Sequence, residues 1–229
     1  MRNLEPITDL RAVILDVDGT LVDSNEAHAH AWIEALRTHG YDTTFGVVRR
    51  LIGMGGDKVV QMVTGLEDDH PTARQITATR QRIFAKQYLA RIRPFPNSHA
   101  LLSRMRADGL RLIVASSAQR AELSALLEST QFLDLIEDVV SAADVDRSKP
   151  APDLVGAALE VLGLLAWQAL MLGDTPYDIE AARQAGVATI ALRSGGWDDR
   201  DLRRAVAVYD DAADLLAHYQ DSPFACAAA

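Results

Sequence analysis

A chain of 229 residues that is 48% hydrophobic and 24% charged suits one ordinary domain with an insertion, or two small domains, and is too apolar to be disordered. Its 23 basic and 32 acidic side chains give a formal charge of -9, and no basic stripe with interleaved aromatics occurs, so a phosphate-backbone footprint and nucleic-acid binding are excluded. Cys226 is the single cysteine, which excludes an intrachain disulfide and a zinc site built on cysteines.

The N-terminal MRNLEPITDLRAVILDV lacks the charged, apolar, small-residue layout of a secretory signal, and the expectation is a soluble cytoplasmic protein. The first short apolar run is AVILDVD, near 12 to 18. From about 23 to 95 no comparable run appears; SNEAHAHAWIEALRTHG, TFGVVRRLIGMGGDKVVQMV and PTARQITATRQRIFAKQYLARI read as helices, closed by the two prolines of RPFPNS. Apolar runs then recur as LRLIVASS near 110 to 117, DVVSA near 138 to 142, ALMLGD near 169 to 174 and VATIAL near 187 to 192. Helical patterns lie between them (SHALLSRMRADG, AELSALLESTQF, PDLVGAALEVLG and YDIEAARQAG), and YDDAADLLAHY reads as a terminal amphipathic helix before a small ACAAA tail. Residues 155 to 173 approach the length of a membrane span, but Glu160, Gln168 and a break at Gly163 make them a buried helix, a turn and a buried strand, so no membrane partner is expected. Continuous apolar strands alternating with helices predict an α/β fold, a doubly wound parallel sheet with a Rossmann-like core. The core spans 1–22 plus 96–229, and a helical cap spans 23–95, with hinges near Leu21 to Ser24 and Pro94 to Asn97.

Chemically loaded residues follow the ends of the predicted strands: Asp16 and Asp18 after the first, Ser116 and Ser117 after the second, Asp174 and Asp178 after ALMLG, with Lys149 in the turn-rich DRSKPAPD. Open parallel sheets bind ligands outside the carboxyl ends of their strands, so these groups converge if the strands are neighbours. Four carboxylates against one ammonium repel one another, and a hard divalent cation, Mg²⁺, fits an all-oxygen ligand set. Asp16 and Asp18 project the same way in extended chain, so one can attack a phosphoryl group while the other moves protons. Gly19 permits the sharp turn that brings main-chain N–H groups near phosphoryl oxygens.

DVDGT, a downstream Ser116, SKPAPD and GDTPYD, in that order, resemble the motifs of the haloacid dehalogenase superfamily, in particular its aspartyl-phosphate phosphatases with a helical cap after the first motif. The resemblance implies Asp16 as nucleophile and Asp18 as general acid and base. It implies Thr20 and Ser116, with Ser117 beside it, on the phosphoryl oxygens, and Lys149 balancing charge. Mg²⁺ would be held by Asp16, the main-chain carbonyl of Asp18 and Asp174, with Asp178 nearby or acting through water. The implied activity is hydrolysis of a small phosphorylated metabolite by a monomer or homodimer. The acid at Asp18 argues against dehalogenation, because a halide leaving group needs no proton. Thr20, where mutases often carry a small apolar residue, favours hydrolysis over sugar-phosphate mutation. His28 and LIGMGGDK nevertheless resemble the mutase cap, although Gly56 stands where those enzymes tend to carry a phosphate-gripping arginine. A non-enzymatic phospho-metabolite binder is the further alternative.

Plainer readings stand beside these. Ser116 and Ser117 could cap a helix starting near Gln119, Asp178 could cap the helix IEAARQAG, and Asp153 reads as a helix cap. His28 and His30 could be partly exposed helix residues, or His28 could gate substrate. Gly53, Gly55 and Gly56 form either a loop that approaches substrate or a simple helix break. Trp32 is expected to pack between cap helices, and Trp197 against the core.

Overall fold

The structure, a computed structural model, describes residues 9–224; Cys226, the ACAAA tail and the leader reading of residues 1–8 lie outside the described residues. A single sheet holds β1 (Ala12–Leu15), β2 (Arg111–Ala115), β3 (Asp138–Val140), β4 (Ala169–Gly173), β5 (Ala188–Leu192) and β6 (Ala207–Tyr209), in the order β3-β2-β1-β4-β5-β6. Every neighbouring pair is parallel, as continuous apolar strands with helical crossovers require. The α/β class and the doubly wound order agree with the sequence reading. β6 was not among the expected runs: it has three partly exposed residues at the sheet edge, too little apolar signal to register.

Side chains alternate across β1, so Val13 and Leu15 join one core layer while Ala12 and Ile14 join the other. The first layer is covered by α5 (Ser98–Ala107), α6 (Arg120–Ser129) and α10 (Ala212–Ala217), through residues such as Leu101, Leu126 and Leu215. The second is covered by α7 (Asp153–Leu162) and α8 (Pro176–Gln184), through Leu154, Ala158 and Ala182. The apolar stretch 155 to 173 is therefore α7, a left-handed turn at Gly163 and β4, and among the described residues no helix is long and apolar enough to cross a membrane. A short α9 (Asp199–Leu202) packs Leu202 against Ile179 and Ala191.

Between β1 and β2 the chain forms α1 (Asn25–Thr38), α2 (Phe45–Arg49), α3 (Gly56–Thr64) and α4 (Pro71–Ile83). These close around their own core, where Trp32, Leu36, Val48, Val59 and Ile76 are buried together. The long pattern 71–92 is not one regular helix: after α4 it widens into a π-type turn at Phe84–Tyr88 and tightens at Leu89–Arg91. The two crossings between this body and the sheet run side by side. Asp23 N–H donates to Arg93 O at 3.0 Å, and Phe95 N–H donates to Leu21 O at 2.9 Å.

Strand register sets the level of everything above the sheet. Leu15 of β1 lies opposite Val114 of β2 and Leu172 of β4, so the three strands end together. Ile14, fully buried on β1 between its two partners, carries this register. Ile14→Ala is expected to cost about 2–5 kcal/mol of unfolding free energy. Urea denaturation reads this directly, and a loss below about 1 kcal/mol would mean that the sheet centre can collapse around the cavity.

Candidate active site

Asp16 immediately follows β1, and its N–H donates to Leu172 O at 2.9 Å, extending the ladder by one residue. Asp174 immediately follows β4, the neighbouring strand, so the shared register delivers both carboxylates to one point above the sheet. Lys149 Nζ, fully buried, donates to Asp16 Oδ1 at 2.6 Å and lies 2.7 Å from Asp178 Oδ1. The other Asp178 oxygen accepts from Thr175 Oγ1 at 2.6 Å and from Thr175 N at 3.0 Å, in a capping box at the start of α8. Asp178 thus joins the helix-cap and cluster readings, one oxygen to each. Thr20 Oγ1 faces Asp174 Oδ1 at 2.9 Å and Asp16 Oδ2 at 3.2 Å, so its hydroxyl is engaged by carboxylates. Asn25 Nδ2 donates to Asp174 Oδ2 at 3.0 Å. Gly19 turns the chain at φ +82°, and a Cβ there would stand 2.0 Å from Asn25 Nδ2 and 2.2 Å from Asp174 Oδ2. Only glycine permits that approach.

Asp16, Asp174 and Asp178 each offer an oxygen within 4.8 Å of the others, all buried. Burial pushes Asp16 up to about 7, with Asp178 and Asp18 adding to the rise against the opposing Lys149. Burial, then Asp16 and Asp178, hold Asp174 well above the usual carboxylate range. For Lys149, burial favours the neutral amine, but Asp16 and Asp178 overcome it and raise the ammonium above its ordinary value. One ammonium does not balance three buried carboxylates, so a further positive charge, proton or cation, belongs here. An all-oxygen, triply acidic donor set suits a hard divalent cation.

Asp18 stands apart from this cluster. Its Oδ1 accepts from Ser24 Oγ at 2.5 Å and from His28 Nε2 at 2.7 Å. Burial favours the neutral acid, but His28, Ser24 and the Arg80 charge behind them hold Asp18 down at about 2. Arg80 of α4 donates one guanidinium nitrogen to His28 Nδ1 and another to Glu122 Oε2 of α6, the latter at 2.6 Å. His28 is buried and stacked on Phe84 at 4.2 Å, which removes the exposed-residue reading; His30 rests against Phe45 at 5.0 Å.

Asp16 and Asp18 open onto a cavity of about 340 Å³ whose lining includes Ser116, Ser117 and Glu122 from the sheet body and Trp32, Gly53 and Arg80 from the helical body. Ser116 Oγ accepts from Ala118 N at 3.1 Å, and Ser117 Oγ is buried without a hydrogen-bond partner. Neither caps α6, which starts after Gln119. The Gly53–Gly56 segment separates α2 from α3 and also reaches the sheet body: at φ +105°, Gly53 would put a Cβ 2.7 Å from Thr175 Cγ2. Beyond it, Ser148 Oγ donates to Asp57 Oδ1 at 2.8 Å, and Arg49 donates to Gly195 O. Trp197 packs edge-on against Tyr177 at 5.8 Å beside Ile179 and Leu202, as expected of a packing residue. Asp153 differs from expectation: it makes no cap hydrogen bond and instead holds Arg147 at 2.7 Å. Asn25, Arg80 and Glu122 escaped sequence reasoning, since each sits in an ordinary helical pattern and acquires its partner only through folding.

Residues 13–192 match the family described as haloacid dehalogenase-like hydrolase. A phosphoglycolate phosphatase of Rhodospirillum rubrum is 34% identical over 219 residues, covering 90% of this chain and 89% of that protein. The protein CbbY of Rhodobacter capsulatus is 31% identical over 197 residues, covering 81% of this chain and 86% of its own length. Among solved structures, a hydrolase from Pseudomonas syringae superposes with a TM-score of 0.85 at 29% identity, covering 92% of this chain and 98% of that one.

The buried charge pattern makes Lys149 structural as well as chemical. Lys149→Met keeps most of the volume but strands the carboxylates, and is expected to lower stability by about 3–5 kcal/mol in chelator-treated protein. An unchanged urea midpoint would show that the carboxylates do not depend on the ammonium.

Proposed function

The chain belongs to the haloacid dehalogenase-like hydrolases, and from that premise we propose that it is a Mg²⁺-dependent phosphatase that hydrolyses a small phosphate monoester through an aspartyl-phosphate on Asp16. The observation that carries this reading is the pair of carboxylates at one cavity floor with separate electrostatic surroundings. Asp16 is tied to Lys149, and Asp18 to Ser24 and His28. Environments that differ in this way suit two carboxylates to two roles.

In the first step Asp16 forms a bond to phosphorus as the bond to the leaving oxygen breaks, and Asp18 supplies the proton that leaves with the alcohol. In the second, water attacks phosphorus, the bond to Asp16 breaks, and the water's proton passes to Asp18. The surroundings of Asp18 favour its ionised form, the state the second step needs. The negative charge of an arriving phosphate ester raises the proton affinity of a neighbouring carboxylate, which suits the first. Lys149 holds Asp16 in orientation and offsets charge on the transferring group, while Ser116 and Ser117 at the end of β2 border the phosphoryl position. Asp16, Asp174 and Asp178 fit a divalent cation, with the Asp18 main-chain carbonyl as a further oxygen. Such an ion supplies charge neutralisation for the transferring phosphoryl group.

Residues 23–95 act as the cap, which excludes bulk water and selects the leaving group. Its contacts to the sheet body through Arg80, Asp57 and Arg49 are consistent with a closed arrangement. Mutation of a sugar phosphate is the weaker reading, because Gly56 offers no side chain to grip a second phosphate.

With p-nitrophenyl phosphate and Mg²⁺, Asp16→Asn is expected to reduce phosphate release at least about 10³-fold. Full activity in that variant would sink the covalent mechanism. Thermal unfolding tests the metal separately. Millimolar Mg²⁺ should raise the Tm of the native chain by several degrees through linkage, and Asp174→Asn should abolish the rise. In chelator the same variant should be about as stable as the native chain, because burial beside Asp16 and Asp178 already holds the Asp174 carboxyl towards its neutral form. A Mg²⁺ response that survives the substitution would move the metal elsewhere.

A further inference from the structure

We propose that the leaving group accepted by this cavity carries no second anionic group and is rich in hydrogen-bond donors, as in a polyol or an amino alcohol. The inference rests on the phosphatase reading above and concerns the cavity lining other than Asp16 and Asp18. That lining is acidic: Asp57, Asp68, Glu122 and Asp146 belong to it. Among the described lining residues Arg80 is the one arginine or lysine; both of its terminal nitrogens are committed, and only Nε is left without a partner. Arg80 holds Glu122 at 2.6 Å, contacts His28, and lies over the rings of Trp32 at 5.3 Å and Phe84 at 5.0 Å.

Neighbouring cations are committed as well. Arg147 is turned onto Asp153 at 2.7 Å, and Lys149 sits between Asp16 and Asp178. Lys58, 3.5 Å from Asp57, offsets that one carboxylate in part. A carboxylate or second phosphate on the substrate would therefore face carboxylate oxygens, with the strongest repulsion at the near-buried Glu122 and a weaker, salt-screened one at the exposed Asp68 and Asp146.

The acceptor left over points to the complementary ligand. Glu122 is nine-tenths buried, its side chain 9% exposed, and its Oε1 has no hydrogen-bond partner. An unsatisfied buried acceptor is costly, and a ligand hydroxyl or ammonium satisfies the Glu122 oxygen where an anion does not. Trp32 and Gly56 add shape to the lining. Gly56 contributes no side chain, and a Cβ there would stand 3.0 Å from the Trp32 ring. An aromatic wall suits the C–H face of a polyol or the charge of an amine.

The test compares kcat/KM within matched pairs at saturating Mg²⁺: 2-aminoethyl phosphate against 2-phosphoglycolate, and glucose 6-phosphate against 6-phosphogluconate. p-Nitrophenyl phosphate serves as the common reference. The uncharged or cationic member of each pair is expected to be preferred at least tenfold. The preference should shrink in about 0.5 M NaCl, where screening is strong. It should shrink again in an Asp68→Asn/Asp146→Asn variant, which changes two exposed side chains and not the core. Equal or greater kcat/KM for the anionic members, with p-nitrophenyl phosphate turned over, would overturn the inference and leave the phosphatase intact. A preference insensitive to both salt and the double variant would overturn its electrostatic basis. Failure to release phosphate from any ester would instead remove the phosphatase reading beneath it.

Discussion

Three carboxylates, Asp16, Asp174 and Asp178, are buried around a single ammonium at the carboxyl end of a parallel sheet, and the rest of the site is built to keep them there. Such a cluster is unfavourable on its own. It persists because every element around it supplies a donor or a fixed position: Thr20 and Asn25 face Asp174, Thr175 binds the far oxygen of Asp178, and β4 sets the level of Asp174 through its register with β1. The resulting deficit of positive charge is what a divalent cation would offset under the proposed function. A fold that neutralised these groups internally would have less to offer either a metal or a phosphoryl group.

The helical body over the sheet answers a different constraint. The sheet end alone leaves Asp16 and Asp18 facing solvent. α1 and α4 place His28 and Arg80 above Asp18, and Arg80 reaches across to Glu122 of α6. The same interface includes Ser148 with Asp57 and Arg49 with Gly195. Cavity and interface therefore share residues: Arg80, Glu122, Asp57 and Ser148 both join the two bodies and line the cavity. The surroundings of Asp18 and the lining of the cavity are thereby linked through one arginine.

Much of this was legible in the chain itself, and the reason is locality. An apolar run ending in Asp16, another ending in Asp174, and Lys149 in a turn are each contiguous signals, and parallel-sheet geometry carries them to one edge. Asp178 was legible as both cap and cluster member, although not that each reading would occupy one of its oxygens. Thr20 was expected at the phosphoryl group, whereas its hydroxyl lies on two carboxylates, a matter of rotamer that spacing does not encode. β6 escaped because three partly exposed residues at an edge carry almost no hydrophobic period.

The sequence by itself determined the order of strands and helices and the identity of the reactive groups, because periodicity and short motifs are properties of neighbouring residues. The tertiary structure alone decided what those groups touch. Asn25 meets Asp174 across 149 positions, Ser148 meets Asp57 across 91, and Arg80 meets Glu122 across 42. No local pattern marks such partners, since each sits in a helix or turn that would look the same with another residue in its place. Their meaning arises when packing excludes water, for only then must every buried charge and hydrogen-bonding atom find a counterpart.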